Sequence, residues 1–212
     1  MKDGILVHNA VKRFRDTVAL DHVEAEFAPG LIHGVIGRNG SGKTVLFKSI
    51  CGFLALDEGE ITIDGERVAF QQPQKRIGLI IEEPGFVPGL SGLKNLRLLA
   101  ALNGKLTDEA LRQAMRDVGL DPDMKKRVER YSLGMKQRLG LAQAIMERPE
   151  LLILDEPMNG LDKQGVREVR ALLKRLKDEG TTILLASHYA EDVDALCDTV
   201  WEMEAGGLTR VE

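Results

Sequence analysis

Long apolar runs are missing from this chain of 212 residues. No segment approaches the roughly 18 apolar residues that a membrane-spanning helix needs. If the protein acts at a membrane, another chain must supply the membrane part. A secretory leader is missing too. The opening "MKDGILVHNA" has an early acid and no long apolar core, so a cytoplasmic location is expected. Cysteine is scarce. Cys51 and Cys197 each sit in an apolar helical pattern, with no second Cys or His at ligand spacing. They read as buried, reduced thiols rather than a disulfide or a metal site. Basic charge is nowhere gathered into a stripe. The formal net charge is −4, and the one dense basic run is "KKRVER", Lys125 to Arg130. It reads as a solvated helix face, and no nucleic-acid partner is expected. Internal repeats and low-complexity linkers are lacking as well.

Hydrophobic residues make up 43% and charged residues 29%, a balance that a disordered chain does not reach. The length suits one large domain, or a core with one insertion. The first third reads as strands: "GILVHNAVKRF", "TVALDHVEAEFAPG" and the buried "LIHGVIG". An amphipathic helix follows, with Leu46, Phe47, Ile50, Phe53 and Leu54 at helical spacing. "GEITIDGERV" predicts a hairpin turning at Asp64 and Gly65, and "RIGLII" another buried strand. From Pro84 to about Met146 the strand signal stops. Leu93, Leu96, Leu99, Ala100 and Leu102 mark one helix face. Leu111, Met115 and Val118 mark another, begun by the cap Thr107. Strand and helix then alternate to the end, which predicts a mostly parallel sheet covered by helices.

The segment "GRNGSGKT" matches the G-x-x-x-x-G-K-[ST] phosphate loop. It follows a predicted strand and opens a predicted helix, the context that the motif needs. Gly37, Arg38, Asn39, Gly40, Ser41, Gly42, Lys43 and Thr44 are therefore expected to bind a nucleoside triphosphate. Lys43 would reach the β- and γ-phosphates, and the Thr44 hydroxyl would ligate Mg²⁺. "LLILDEP" reads as a second buried strand with Asp155 at its C-terminal end. Ligands of parallel sheets bind beyond such ends. Asp155 is expected on the same Mg²⁺ and Glu156 on the attacking water.

With these motifs the chain resembles the ATP-binding subunits of ABC transporters along nearly its whole length. "YSLGMKQR", Tyr131 to Arg138, resembles the signature usually written LSGGQ. Ser132 and Gly134 match it, while Tyr131, Leu133 and Met135 depart from it. The resemblance implies that Ser132, Gly134 and Met135 contact ATP held by a second ATP-binding subunit, in a homodimer or a heterodimer. It implies an adenine-stacking role for Phe14, a dimer-interface loop at Asp162 and a histidine near the γ-phosphate at His188. It places Glu82, in "IIEEPGF", where the family usually has a glutamine that touches Mg²⁺. Glu83 receives no role.

The implied fold is α/β: a P-loop NTPase (RecA-like) core with a mostly parallel sheet, an N-terminal antiparallel β subdomain and an inserted α-helical subdomain. Residues 1–83 and 147–212 would form the core, and 84–146 the helical signature subdomain. The implied activity is Mg²⁺-dependent ATP hydrolysis that powers an integral membrane subunit at the cytoplasmic face. Glu82 and "YSLGMKQR" together resemble the bacitracin- and lantibiotic-type export and self-protection transporters. Export of a peptide antibiotic, lipid or similar amphiphile is then expected. Departures from the family pattern include Met158 after "DEP", Lys163 after "NGLD", and an end soon after the last strand. Phe86, Val87 and Leu90 would form either a docking groove or a local core cluster. A non-transport ABC ATPase acting on a soluble or nucleic-acid partner is the alternative. A small-molecule kinase fits less well, because it would not need the signature segment or the glutamate of "DEP".

Overall fold

The computed structural model describes residues 1–72, 77–82, 84–104 and 106–211. Its strands are β1 (Ile5–Phe14), β2 (Thr17–Phe27), β3 (Ile32–Ile36), β4 (Glu58–Ile63), β5 (Glu66–Arg67), β6 (Ile77–Ile80), β7 (Leu151–Asp155), β8 (Thr182–Ala186), β9 (Thr199–Glu204) and β10 (Gly207–Arg210). The helices are α1 (Lys43–Ile50), α2 (Gly92–Asn103), α3 (Asp108–Asp117), α4 (Leu133–Ile145), α5 (Lys163–Asp178) and α6 (Ala190–Leu196). A 3-10 turn at Val128–Arg130 precedes α4.

Two sheets divide the strands. An antiparallel sheet has the order β2-β1-β4-β5, and a second sheet has the order β10-β9-β3-β8-β7-β6. In the second, every pairing is parallel except β9 with β10. Between β6 and β7 the described residues form three α-helices and the 3-10 turn.

The continuous apolar strands resolve into two faces, because successive strand residues point to opposite sides. On β7, Leu152 and Leu154 join the core under the helical block, with Leu96, Leu139 and Leu173. Leu151 and Ile153 join the opposite core, with Phe47 and Ile50 of α1 and Phe27 of β2. The same split divides Ile183 and Leu185 of β8 from Leu184 and Ala186. Each fully buried leucine stabilises the fold by about 1.5–3 kcal/mol. A strand buried on both faces therefore has no room for polar residues until its end, where Asp155 emerges.

Several expectations change. Helix α1 stops at Ile50, because Gly52 turns the chain at φ +74°. Phe53 and Leu54 therefore lie beyond it, and Phe53 is exposed. Leu102 is 81% exposed and leaves the α2 stripe, whereas Leu93, Leu96 and Ala100 are buried. Three residues past Leu99, it falls where α2 has run beyond the core. "KKRVER" is no α-helix face: it is an extended stretch and the 3-10 turn, tied to the 88–90 segment by backbone hydrogen bonds from Val128 and Glu129. Cys51 is buried, but Cys197 is only half-buried. Burial pushes both thiols up to about 12, so they stay protonated at neutral pH. Two other local expectations hold: Asp64 and Gly65 turn the hairpin at φ +52° and +78°, and Thr107 caps α3 by accepting from the Ala110 N–H.

One buried histidine bears on stability. His33 of β3 is 1% exposed. Its Nε2 lies 2.8 Å from the Ala28 carbonyl and its Nδ1 2.7 Å from Thr199 Oγ1. The carbonyl only accepts, so Nε2 carries the proton and Nδ1 accepts from the threonine. Burial lowers the imidazole pKa. As pH falls below the ordinary histidine value of about 6.5, the unfolded chain takes up a proton and the folded chain does not. Stability is therefore complete above that pH and is lost as pH falls toward and through the folded value. Urea unfolding between about pH 7 and pH 5 should show this acid-side loss, and His33→Gln should flatten it.

Candidate functional site

The loop 37–42 leaves β3 and enters α1 through glycines of positive φ. Gly42 shows why no other residue fits. Its φ is +118°, and a Cβ there would lie 2.3 Å from the Ala19 carbonyl oxygen. Gly42 also occupies the N-cap of α1, with no side chain capping the helix. The first N–H groups of α1 are thus left for an anion. Ser41 Oγ is buried and has no hydrogen-bond partner among the described residues. Lys43 is buried too, and its ammonium donates to the Gly37 and Arg38 carbonyls at 2.6 and 3.1 Å. A buried ammonium held by two loop carbonyls has a compact charge that phosphate oxygens could take over.

The end of β7 meets this loop. Thr44 Oγ1 donates to Asp155 Oδ2 at 2.7 Å. The next residue, Glu156, has φ +52°, a conformation that costs a non-glycine side chain about 1–3 kcal/mol. Its N–H is held by the Ala186 carbonyl at 3.0 Å, and its own carbonyl accepts from Gln137 Nε2 at 3.3 Å. The turned backbone sends its carboxylate to His188, whose Nδ1 lies 2.8 Å from Oε2. A carboxylate only accepts, so Nδ1 is the protonated nitrogen. The His188 ring lies 3.9 Å from that of Tyr189.

Between the loop, α4 and the β7 end lies a cleft of about 640 Å³. Asn39, Gly40, Gly42, Lys43, Thr44, Glu82, Asp155 and Glu156 all line it. Glu82 stands on a backbone at φ +63°, and its carboxylate pairs with Lys48 Nζ at 2.6 Å. Glu83 lies outside the described residues. Three lining or pairing residues went unnoticed in the sequence. Lys48 is four residues past Thr44, hence on the same face of α1, and that spacing was the available signal. Gln137 stands four residues past Leu133, and both line the cleft from α4. Asn159 had no signal beyond its nearness to "DEP".

The remaining expected residues stand outside the cleft lining. Phe14 ends β1, half exposed, with Lys12 Nζ 5.5 Å from its ring centroid. Ser132 caps α4 by accepting from the Met135 N–H at 3.2 Å. Met135 itself packs on the helical core. A Cβ on Gly134 would come within 2.7 Å of the Gly160 carbonyl oxygen, so "YSLGM" and "NGLD" lie back to back. Asp162 caps α5 through the Gly165 N–H at 2.8 Å. Tyr131 departs from the signature pattern for a packing reason: it is buried, and its hydroxyl accepts from the Gly92 N–H at 3.3 Å.

The donor set suits Mg²⁺. A hydroxyl and a carboxylate are hard oxygen ligands, and Mg²⁺ at phosphate sites takes one or two carboxylates with phosphates and waters. Among the described residues no group of three His, Cys, Asp or Glu side chains is placed to hold a metal.

Comparison with known proteins leads the same way. The ABC transporter family matches residues 20–159. YybJ of Bacillus subtilis (strain 168), an uncharacterized ABC transporter ATP-binding protein, is 40% identical over 212 residues, with 98% of this chain and 96% of the relative covered. The bacitracin transport ATP-binding protein BcrA of Enterococcus faecalis is 39% identical, across 99% of this chain and 69% of its own length. The lantibiotic transport ATP-binding protein SrtF of Streptococcus pyogenes is 34% identical, across 92% and 84%. Among solved structures, cbiO1 from Clostridium perfringens, part of an ABC transporter complex, matches with a TM-score of 0.84 at 27% identity, covering 99% of this chain and 88% of that one. An ATP-binding cassette solved as a dimer with ADP and Pi matches at 0.87 and 19% identity, covering 98% and 99%, which bears on the fold alone. The chain belongs to the ABC transporter family, as one of its ATP-binding ATPase subunits.

Proposed function

We propose that this subunit hydrolyses ATP in the cleft at Gly37–Thr44 to drive a separate membrane-spanning subunit. The observation that carries the reading is the convergence of Thr44 with Asp155, and of Glu156 with His188, beside one uncapped phosphate loop. The loop amides and Lys43 bind the phosphates. Thr44 and Asp155 would hold Mg²⁺, which when bound offsets the charge on the phosphate oxygens. Glu156 orients and deprotonates the attacking water. His188 holds Oε2 of that carboxylate and leaves the other oxygen for the water. Phe14 stacks on the adenine ring.

The other residues act across a dimer. Ser132, Gly134 and Met135 at the α4 N-terminus meet ATP held by a second ATP-binding subunit, identical or not. Asp162 lies in the loop between the two subunits. Binding of ATP closes the pair and hydrolysis reopens it. Residues 84–146 serve as the helical signature subdomain, between core segments 1–83 and 147–212. A groove of about 260 Å³, whose lining includes Pro84, Phe86, Pro88, Val128 and Glu129, opens beside the cleft and shares Leu133 and Gln137 with it. It is the surface on which the membrane subunit would dock, at the cytoplasmic face. Among the described residues no helix is long and apolar enough to cross a membrane. The cargo of this proposal is a peptide antibiotic, lipid or similar amphiphile, moved outward, and the names of BcrA and SrtF, for bacitracin and lantibiotic transport, favour the peptide antibiotic.

Glu82 is a third candidate ligand of the ion. A carboxylate in place of the family's neutral amide adds charge beside the phosphates, and Lys48 offsets it at 2.6 Å.

Three outcomes test this reading. Glu156→Gln should lower kcat by about 100-fold or more while ATP binding and dimer closure persist. Turnover at the wild-type rate would remove Glu156 from the chemistry. Glu82→Gln should keep ATP binding and move the Mg²⁺ titration of hydrolysis to higher concentration. An unmoved titration would take Glu82 off the metal. Purified from its native membranes, the chain should carry an integral membrane protein with it. A soluble partner in its place would favour the non-transport reading.

A further inference from the structure

A buried carboxylate paired with a partly exposed arginine stands behind the site and takes no part in the proposed chemistry. Asp192 of α6 is 2% exposed. Arg170 of α5 gives both Nε and an Nη to its Oδ1, at 2.9 and 2.6 Å. The second oxygen, Oδ2, accepts from Ser187 Oγ at 3.2 Å. The same Ser187 oxygen accepts from the Tyr189 N–H at 3.2 Å. His188 is the residue between these two anchored neighbours.

Helix capping does not account for this arrangement. Helix α6 has seven residues, and the cap residue Tyr189 makes no side-chain hydrogen bond to it. An acid in the first turn of a helix can reach back to the cap N–H directly. Asp192 reaches it only through Ser187, and its other oxygen faces away, into the arginine of a different helix. Burying a carboxylate costs several kcal/mol unless it is paired and hydrogen-bonded. Both oxygens of Asp192 are satisfied, so the cluster is rigid rather than costly. What it makes rigid is the turn that presents His188 to Glu156.

We propose that Asp192, held by Arg170 and acting through Ser187, is the positioning residue for His188. The proposal rests on the reading of His188 and Glu156 given above. Without the anchor, the turn 187–189 still forms, but the imidazole no longer sits at one place beside the Glu156 carboxylate. Helix α5, which carries Arg170, starts at the Asp162 cap. The same rod therefore fixes the loop expected at the dimer interface and the histidine that holds Glu156.

The test uses the full chain and the substitutions Asp192→Asn and Ser187→Ala. The second removes only the last link and serves if the first does not fold. Side-chain ¹⁵N spectra of the four histidines report each imidazole separately. The His188 signals should shift and lose their Glu156-bonded character in either variant, while buried His33 keeps its own. ATP affinity, read with a fluorescent analogue, should stay within about twofold, and kcat should fall about tenfold, as misplacing a catalytic contact does. Unmoved His188 signals would overturn the proposal, as would a loss of ATP affinity matching the loss of kcat. His188→Ala separates the premise from the link. Wild-type turnover in that variant would overturn the role of His188 itself, and the proposal with it. Slowed turnover in His188→Ala with unmoved signals in Asp192→Asn would overturn the link alone.

Discussion

The hydrogen bond from Thr44 to Asp155 joins two strand ends that are not neighbours in the sheet. Strand β8 lies between β3 and β7. The loop that follows β3 must lean over the end of β8 before Thr44 can reach Asp155. Much else follows from that lean. Gly42 must sit against the Ala19 carbonyl with no Cβ between, and α1 must begin without a side-chain cap. The strand passed over, β8, ends in Ala186, whose carbonyl holds the Glu156 N–H. Ser187 and His188 come directly after. The intervening strand thus supplies the partner that turns Glu156 toward His188. Ligands of parallel sheets gather at C-terminal strand ends. Here the ends of β3, β6 and β7 line one cleft, and β8 supports it through the Ala186 carbonyl and His188.

Several residues expected to contact a second subunit already have local work. Ser132 caps α4, Asp162 caps α5, and Gly134 lets the Gly160 carbonyl approach. These duties do not compete with a role across an interface. A cap hydroxyl that accepts one N–H keeps a lone pair and its own proton. A helix N-terminus whose cap is satisfied still carries its positive dipole end. The local contacts hold these two loops against each other. Tyr131 belongs with them: it departs from the usual signature because its ring fills the core and its hydroxyl takes the Gly92 N–H at the start of α2.

Most of the fold was legible because its strands are short apolar runs separated by helical periodicity, and because two motifs bracketed the sheet. The loop 37–44, Asp155 and Glu156 could be read from type and spacing alone. What escaped was set by tertiary context. Whether Phe53 continues α1 depends on one glycine, Gly52, turning the chain. Leu102 has helical spacing, but periodicity does not show where the core runs out beneath α2. Gln137 lines the cleft, and Lys48 pairs with its Glu82, because of which helix face meets it, and the spacing of four from Thr44 is the one local signal for Lys48. The Arg170–Asp192 pair joins two helices through side chains of ordinary surface type, so only packing shows that its carboxylate is buried.

The two acidic pairs of the chain therefore stand differently toward one cleft. Asp155 and Glu156 end a strand buried on both sides, and each carboxylate is matched to a neutral or titratable donor, Thr44 and His188. Glu82 ends the edge strand β6, half open to water, and its partner is a full positive charge, Lys48. A surface pair of that kind contributes about 0–1 kcal/mol to stability, so stability alone gives little reason for it. Its effect is electrostatic and local. Without Lys48, a carboxylate in that cleft would repel phosphate whenever the metal is absent. With it, the pair is neutral toward an incoming nucleotide, and on the proposed reading the carboxylate would leave the lysine for a metal once the phosphates have arrived. The left-handed backbone at Glu82 lies between β6 and the helical block, so the proposed change of partner by its side chain would act where the two meet.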